Sequence, residues 1–279
     1  MKIGIALAGG GIRGIAHAGV LKAFEDNNIK INCIGGTSSG SLVASLYAMG
    51  YSPYYIYVLF KRYSPKICNI SKNILFSELR KFVFNKKTRI KGLNNGKKLE
   101  KTYNVVANKQ GIKKMCDIVM PLFIPTVDIS NSKKYIFTSC KETNENYIND
   151  ISVGKAVRAS SSFPVIFSPV EYKDHLFVDG GVLDNIPVKA LKEYGADKVI
   201  AVRFDSDRVS ENSNMMDVVM KTIDIMGNKL CDEQLEKSDF IITIPSDGTG
   251  LLETEKIEYC YMAGYNEAIK CIQKIKNLL

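Results

Sequence analysis

Two glycine-rich segments within the first forty residues limit the possible folds of this chain more than any other feature. Gly9-Gly10-Gly11 follows the apolar run Ile3–Ala8, and Gly36-Thr37-Ser38-Ser39-Gly40 follows the shorter run Ile31–Ile34. After each segment, apolar residues recur at the spacing of an amphipathic helix. The first fifty residues therefore predict strand, glycine loop, helix, strand, glycine turn and helix, the beginning of a parallel α/β fold.

The rest of the chain continues this alternation of short apolar runs and helical patterns. Further strands are predicted at Asp117–Val127, Tyr135–Ser139, His175–Val178, Val199–Phe204 and Phe240–Ile244. Helices are predicted at Ile12–Asp26, Ser41–Met49, Ser77–Phe84, Lys97–Val106, Asp150–Ser160, Pro187–Tyr194, Met216–Leu235 and Glu255–Leu278. Residues 51–115 look less regular outside their two short helical stretches. We find no internal repeat or linker, and we predict a single domain over residues 1–279.

Composition narrows the class of protein. Hydrophobic residues make up 46% of the 279 residues and charged residues 24%, the balance of a globular protein with a sizeable core. No apolar run approaches the ~20 residues that a membrane-spanning helix needs. The seven cysteines are scattered and lack metal-ligand spacing. We therefore expect reduced, mostly buried thiols in a cytoplasmic protein that binds no metal.

Positive charge is concentrated between Lys61 and Lys114, where sixteen Lys or Arg residues stand against two acidic residues. A basic surface of this kind could meet nucleic acid or the headgroups of an anionic membrane. The alternative is a solvated face in a lysine-rich chain, because runs of like charge are usually solvated. We expect no nucleic-acid partner, and peripheral contact with an anionic membrane stays open.

The G-x-S-x-G pattern of Gly36–Gly40 predicts a nucleophilic serine. A serine at a sharp turn between strand and helix projects its hydroxyl outward, and side chains at the flanking glycines Gly36 and Gly40 would collide with neighbouring backbone. The backbone N–H of Ser39, at the start of the following helix, could then stabilise developing negative charge. The alternative for the same residues is an ordinary Gly/Ser turn.

The segment Gly9-Gly10-Gly11-Ile12-Arg13-Gly14 predicts an anion site, because consecutive glycines at a helix start let backbone N–H groups converge. The anion could be a bound phosphate, as in a dinucleotide site, or a transient oxyanion. A dinucleotide site needs an acid at the end of the next strand, but Glu25 and Asp26 fall within the predicted helix. With a candidate nucleophile ending that strand, an oxyanion hole is the better interpretation.

Asp179-Gly180-Gly181 ends another predicted strand, where a carboxylate could reach a neighbouring loop. An Asp-Gly turn is also common without any function. The chain has only two histidines, His17 and His175, and neither follows Asp179 as the histidine of an α/β-hydrolase triad would. A Ser–Asp pair fits the residues that are available.

The order of these motifs resembles that of the patatin-like phospholipases, and the resemblance covers nearly the whole chain. It rests on Gly9–Gly14, Gly36–Gly40, Arg158–Pro164, Asp179–Gly181 and the wider segment Val178–Val188. The resemblance implies a three-layer α/β/α fold with a mainly parallel sheet. It also implies the following roles: Ser38 as nucleophile, Asp179 as base, Gly9, Gly10, Gly11 and Ser39 around the oxyanion, Arg13 fixing that loop, and Gly14, Gly36, Gly40, Gly180 and Gly181 as motif glycines.

The family resemblance implies a serine acyl hydrolase that cleaves lipid carboxylic esters through an acyl-serine and requires no cofactor. An acyltransferase on the same dyad and a lipid-binding regulatory protein are the alternatives. An acyl chain needs an apolar channel, which residues 54–60 or the helix segment Met216–Met226 could line. Both segments could instead be plain core, and that interpretation is preferred. Headgroup, acyl length and oligomeric state are not predicted.

Overall fold

The computed structural model describes residues 1–68, 94–141, 145–164, 166–205, 215–250 and 253–279. Within these residues one sheet contains the strands β1 (Ile3–Leu7), β2 (Cys33–Gly36), β3 (Leu122–Asp128), β4 (Lys133–Thr138), β5 (Tyr147–Ile148), β6 (Val170–Tyr172), β7 (His175–Asp179), β8 (Lys198–Phe204) and β9 (Phe240–Ile244). The α-helices are α1 (Ala16–Asp26), α2 (Ser39–Ala48), α3 (Pro53–Cys68), α4 (Lys97–Lys109), α5 (Val153–Ser160), α6 (Val188–Glu193), α7 (Met215–Leu235) and α8 (Ile257–Leu278). Short 3₁₀ helices lie at Gly11–Ile15, Met115–Asp117, Gly180–Val182 and Thr254–Lys256.

The sheet order is β5-β4-β3-β2-β1-β8-β9, and the five strands from β3 to β9 in this order run parallel. Strand β4 pairs with β3 antiparallel, and β6 and β7 form an antiparallel pair that joins the sheet through β3. The parallel centre explains why β1 and β2 are each followed by a helix, since a parallel strand needs a crossover before the next one. The predicted mainly parallel α/β sheet is confirmed.

Both faces of the sheet are covered by helices. In β1, Ile5 and Leu7 point into a core shared with α1, α2 and α8. The alternate residues Ala6 and Ala8 point into a second core shared with α6. Because side chains alternate along a strand, burial of both sets places one helical layer on each side of the sheet. This arrangement is the predicted three-layer α/β/α fold.

Most predicted elements are present with shifted ends. The strand expected at Asp117–Val127 begins only at Leu122, because Met115–Asp117 forms a 3₁₀ turn. The prediction for residues 51–115 was wrong in one part, since Pro53–Cys68 is a continuous sixteen-residue helix. Its Pro53 occupies the first turn, where proline is tolerated, whereas Pro65 and five aromatic residues obscure the helical pattern.

Two short strands, β5 and β6, were not predicted. The predicted helix Ser77–Phe84 lies outside the described residues, as does most of the basic segment. Of the cysteines whose side chains are described, Cys33, Cys231 and Cys260 are buried, Cys140 and Cys271 are half-buried, and Cys116 is exposed, all as free thiols. Among the described helices, none combines the length and apolar character required to cross a membrane.

Candidate active site

Ser38 occupies a strained turn between β2 and α2. Its backbone angles are φ 52° and ψ −122°, in the left-handed half of conformational space that a residue with a side chain rarely adopts. The Ser38 N–H donates to Oγ of Ser160 over 3.0 Å, and the Ser38 carbonyl accepts from the N–H of Ser41 over 2.9 Å. These two hydrogen bonds keep Ser38 in its strained conformation. The conformation is that of a nucleophile elbow.

The glycines that flank Ser38 are required by close backbone approach. A Cβ at Gly36 would lie 2.4 Å from the carbonyl oxygen of Gly40, at the start of α2. A Cβ at Gly40 would lie 2.4 Å from the carbonyl oxygen of Leu7 in β1. A side chain at either glycine would therefore collide with neighbouring backbone, as expected from the sequence.

The glycine loop after β1 packs directly against the elbow. The N–H of Gly10 donates to Oγ of Ser39 over 3.0 Å, and a Cβ at Gly14 would lie 2.4 Å from the same oxygen. The N–H of Gly9 donates to Asn185, to its backbone oxygen over 3.3 Å and to Oδ1 over 3.0 Å. In this structure the N–H groups of Gly9 and Gly10 thus have acceptors inside the protein.

Gly11 and Ser39 are better placed to receive an oxyanion. Each is the first residue of a helix, so its N–H has no acceptor within that helix. The Arg13 Nε–H donates to the carbonyl of Gly10 over 3.1 Å. Because the C=O and N–H of a trans peptide point in opposite directions, this bond turns the Gly11 N–H away from Arg13. Arg13 also donates to Oγ of Ser246 over 2.9 Å, which anchors the guanidinium in the fold.

The sheet places Asp179 opposite the end of β2. One edge of β3 pairs with β2 at Phe123 and with β7 at Thr126, which is the partner of Asp179. Three residues along a strand span about 10 Å. Because β7 runs antiparallel to β3, its last residue, Asp179, meets the C-terminal end of β2 in the gap between these pairings.

Asp179 is buried and held at both its backbone and its side chain. Its Oδ1 accepts from the N–H of Gly181 over 2.8 Å, and its own N–H donates to the carbonyl of Ser162 over 3.1 Å. A Cβ at Gly180 would lie 2.4 Å from the carbonyl oxygen of Pro125, so this glycine lets the turn pack on β3. Asp179 is 1% exposed, and that burial keeps bulk water from most of the carboxylate.

Ser160 and Ser162 connect the serine and the acid, and sequence reasoning gave neither of them a role. Ser160 accepts from the Ser38 N–H, and Ser162 accepts from the Asp179 N–H. Thr37 adds a third connection, because its Oγ1 donates to the carbonyl of Asp184 over 2.8 Å. The last residue of α5 and the segment directly after it therefore contact both candidate catalytic residues.

The two histidines serve elsewhere. His17 is completely buried, and its Nε2 donates to the carbonyl of Ala8 over 2.8 Å. Burial lowers the pKa of His17 to about 4, so the ring is neutral at neutral pH. His175 Nδ1 lies 2.7 Å from Oδ2 of Asp128, at the β3–β7 pairing. Burial opposes ionisation of Asp128, but hydrogen bonds from Ser130, His175 and Leu176 hold its pKa below the usual value.

An apolar cavity opens beside the elbow. It encloses about 820 Å³, counted to its open mouth, and its walls are almost wholly apolar. Its floor includes Gly11 and Ser39, and its walls come from α2, α3 and α4: Leu42, Leu46, Leu59, Phe60, Tyr63, Ile67, Leu99, Thr102, Tyr103 and Val106. Of the predicted channel residues 54–60, only Leu59 and Phe60 line it. Met226 is 61% exposed, and the side chain of Met216 lies outside the described part of the chain.

A strained serine, a buried carboxylate, helix-start N–H groups and an apolar cavity together suit acyl transfer to or from a fatty chain. The patatin-like phospholipase family model matches residues 5–192, which is most of the chain. The chain belongs to this family, as its motifs predicted.

Curated relatives share the name lysophospholipase NTE1. The protein from Scheffersomyces stipitis is 28% identical over 96% of this chain, and that from Meyerozyma guilliermondii is 32% identical over 75% of it. The chain spans less than a fifth of the length of each, 18% and 13% respectively.

Solved structures share the fold. VipD from Legionella pneumophila aligns with a TM-score of 0.53 and 15% identity over 98% of this chain and 67% of its own. The type III effector protein ExoU also aligns with a TM-score of 0.53 and 15% identity, over 98% of this chain and 53% of its own. Identities this low support the fold alone.

Proposed function

We propose that the chain is a serine acyl hydrolase that cleaves lipid carboxylic esters, with Ser38 as nucleophile and Asp179 as general base. The observation that carries this proposal is the strained Ser38 beside an apolar cavity whose lining includes the next residue, Ser39. A strained backbone conformation costs about 1–3 kcal/mol per residue and persists only where the surrounding fold imposes it. Such residues cluster at functional sites. The strained residue here is a serine, whose hydroxyl can act as a nucleophile, and the cavity beside it has the apolar lining that an acyl chain requires.

Acylation is the first half of the proposed reaction. Asp179 accepts the proton of the Ser38 hydroxyl while Oγ attacks the ester carbonyl, and the carbonyl oxygen becomes an oxyanion. The N–H groups of Gly11 and Ser39 donate to that oxyanion, and the Gly10 N–H joins them when the Ser39 hydroxyl rotates away. The C–O bond then breaks, and the leaving alkoxide takes the proton from Asp179.

Deacylation repeats the same steps with water. Asp179 takes a proton from a water molecule while the water oxygen attacks the acyl-serine carbonyl. The second oxyanion occupies the same N–H groups, and collapse returns the proton to Oγ of Ser38 while the fatty acid leaves. A carboxylate is a weaker base than imidazole and must be well positioned to act as one. The bonds of Asp179 to Ser162 and Gly181 fix its backbone and its carboxylate, which supports this role.

The substrate we propose is a lipid with one acyl chain. The relatives are named lysophospholipases, which supports this choice, and an apolar cavity lies beside the elbow. A lining of aliphatic and aromatic side chains with few polar groups is typical of a site that binds a small apolar ligand.

We also propose that the enzyme works in the cytoplasm at the surface of anionic membranes. The supporting observations are the free thiols and the exposed lysines on α4 and the following loop: Lys97, Lys98, Lys101, Lys109, Lys113 and Lys114. Each Lys or Arg near an anionic surface contributes about 1 kcal/mol, screened by salt. Liposome flotation should then require acidic lipid and weaken as salt rises; binding indifferent to both would contradict this proposal.

Hydrolysis of medium-chain p-nitrophenyl esters tests the proposed function. We expect Ser38→Ala and Asp179→Asn each to lose about 10³-fold or more of kcat, with folding checked by circular dichroism. Asp174→Asn, at an exposed carboxylate between β6 and β7, is the matched control for Asp179→Asn and should keep full activity. Equal activity in wild type, Ser38→Ala and Asp179→Asn would overturn the assignment of both residues.

A further inference from the structure

A second cavity lies on the other side of the glycine loop from the apolar one. It encloses about 760 Å³ between the C-terminal end of β8 and helix α7, and its walls are more polar than apolar. Its lining includes Gly9, Arg13, Asn185, Arg203, Asp205, Asn228, Lys229, Cys231 and Asp232. The loop that carries the oxyanion groups therefore separates an apolar space from a polar one.

The polar cavity begins next to the candidate catalytic residues. A Cβ at Gly9 would lie 3.1 Å from Cβ of Ser38 and 2.5 Å from Oδ1 of Asn185. A Cβ at Gly181 would lie 3.2 Å from that Asn185 oxygen and 3.1 Å from Oδ1 of Asp179. Asn185 thus stands at the wall between the polar cavity, the nucleophile and the base.

Arg203 is the cation that this cavity offers to a ligand. Its side chain is half-buried at the end of β8, and within the described part of the chain its guanidinium forms no ion pair. Arg13 is already engaged by Gly10 and Ser246.

The remaining charged groups of the cavity lie nearer the solvent. Lys229 is 79% exposed at the side chain and lies 3.2 Å from Oδ2 of Asp232. Asp205 is exposed, and its backbone is fixed by Ile244 and Ser246. Three cations against two acids leave the cavity one positive charge in excess.

We propose that the polar cavity is the headgroup subsite and that Arg203 binds the phosphate of a glycerophospholipid whose acyl chain occupies the apolar cavity. This proposal rests on the proposed function, because it places the two halves of one substrate on the two sides of the glycine loop. A guanidinium binds phosphate through paired N–H groups, and a half-buried site strengthens those bonds. The Asn185 amide donates to Oδ1 of Asn228 over 2.9 Å, which leaves the NH2 group of Asn228 to donate to a glycerol oxygen.

Matched pairs of soluble substrates test the subsite. We compare kcat/KM for octanoyl lysophosphatidylcholine and for octanoylglycerol, both below their aggregation limits, in wild type and Arg203→Gln. The variant should lose about tenfold on the phosphate ester and change little on the uncharged ester. Lys189→Gln, which removes an exposed cation on α6 outside the cavity, should change neither. Equal loss on both substrates, or no loss on either, would overturn the proposal.

A binding measurement keeps the subsite testable if hydrolysis itself fails. Glycerophosphocholine lacks an acyl ester, so calorimetric titration measures occupancy of the subsite without any reaction. We expect saturable binding to wild type that Arg203→Gln weakens about tenfold, whether or not esters are cleaved. Absence of binding to wild type would overturn the subsite, and inorganic phosphate binding as tightly as glycerophosphocholine would show an anion site with no headgroup selectivity.

Discussion

The two strand–loop–helix turns of the site are built alike but carry backbone strain differently. At the end of β1 the residue with positive φ is Gly11, at 61°, where glycine adopts the conformation without steric cost. At the end of β2 it is Ser38, at 52°, where a side chain makes the same half of conformational space unfavourable. The glycine loop is therefore relaxed, and the elbow is strained.

The difference follows from what each turn has to present. The glycine loop offers only backbone N–H groups, so glycines can occupy every demanding position. The elbow has to present a hydroxyl, so the fold must hold a side chain where glycine would be easier. The supports differ accordingly: Ser160 and Asp184 bind the elbow, whereas Arg13 and His17 fix the loop.

The largest expected effect comes from filling the contact between the two turns. Gly40→Ala puts a methyl group 2.4 Å from the Leu7 oxygen and 2.7 Å from the Ala8 oxygen, both backbone atoms that cannot move alone. We expect a loss of about 3 kcal/mol in the free energy of unfolding, measured by urea denaturation.

Gly50→Ala is the matched control for that substitution. Gly50 has φ 87° but nothing within 4 Å of an added Cβ, so only backbone strain of about 1 kcal/mol is added. Equal losses in the two variants would show that the turns are less tightly packed than the structure indicates.

The free energy of unfolding should depend on pH through His17, which donates to the Ala8 carbonyl at the start of the glycine loop. Burial lowers the pKa of His17 to about 4 from an ordinary value of 6.5, so the unfolded chain takes up this proton first as the pH falls. Stability should therefore be lost between about pH 6.5 and pH 4, by about 2 kcal/mol at pH 5 relative to pH 7.5.

His17→Gln tests this pH dependence, because a glutamine amide can still donate to the Ala8 carbonyl but does not titrate. Urea denaturation at pH 5 and pH 7.5 measures the free energy of unfolding at each pH. The difference between the two values should be about 2 kcal/mol in wild type and smaller in His17→Gln. A difference that survives in His17→Gln would assign the pH dependence to other groups.

The smallest expected effect separates strain from chemistry. Ser38→Gly and Ser38→Ala both remove the hydroxyl, but only glycine also relieves the positive φ. Relief of backbone strain stabilises Ser38→Gly, whereas the greater conformational freedom of glycine in the unfolded chain destabilises it. We expect the first effect to be larger, so that Ser38→Gly is more stable than Ser38→Ala by about 1 kcal/mol. Gly11→Ala should instead lower the stability of the protein, because it places a side chain at a residue with φ 61°. Equal stability of the two Ser38 variants would mean that the elbow is not strained.

The sequence was sufficient for the elements that carry local signals. Apolar runs ending in glycine located β1, β2 and β7, and the G-x-S-x-G spacing located the turn at Ser38. Proximity across the sheet was not predictable without the family resemblance, because the gap between β2 and β7 along β3 depends on pairings far apart in the chain. Ser160 and Asn185 lie within the family segments Arg158–Pro164 and Val178–Val188. Their contacts depend on the same long-range pairings, so these segments do not show which residues bind the elbow and the glycine loop.

Some details of the site depend on side-chain geometry that no motif encodes. The spacing of Gly9–Gly14 predicted converging N–H groups, but it did not show that Asn185 and Ser39 accept from two of them. The helix Pro53–Cys68, which forms one wall of the apolar cavity, was missed because its aromatic residues and Pro65 mask the helical period. Packing against α2 and α8 stabilises that helix where local propensity is weak.

Identification of the residue that a fluorophosphonate labels tests the central claim most directly. The reagent forms a stable adduct with an activated serine, and peptide mass spectrometry locates it. We expect a single adduct on Ser38 in wild type, a labelling rate at least about 100-fold lower in Asp179→Asn, and no adduct in Ser38→Ala. An adduct on another serine, or equal labelling of Ser38→Ala, would contradict Ser38 as the nucleophile.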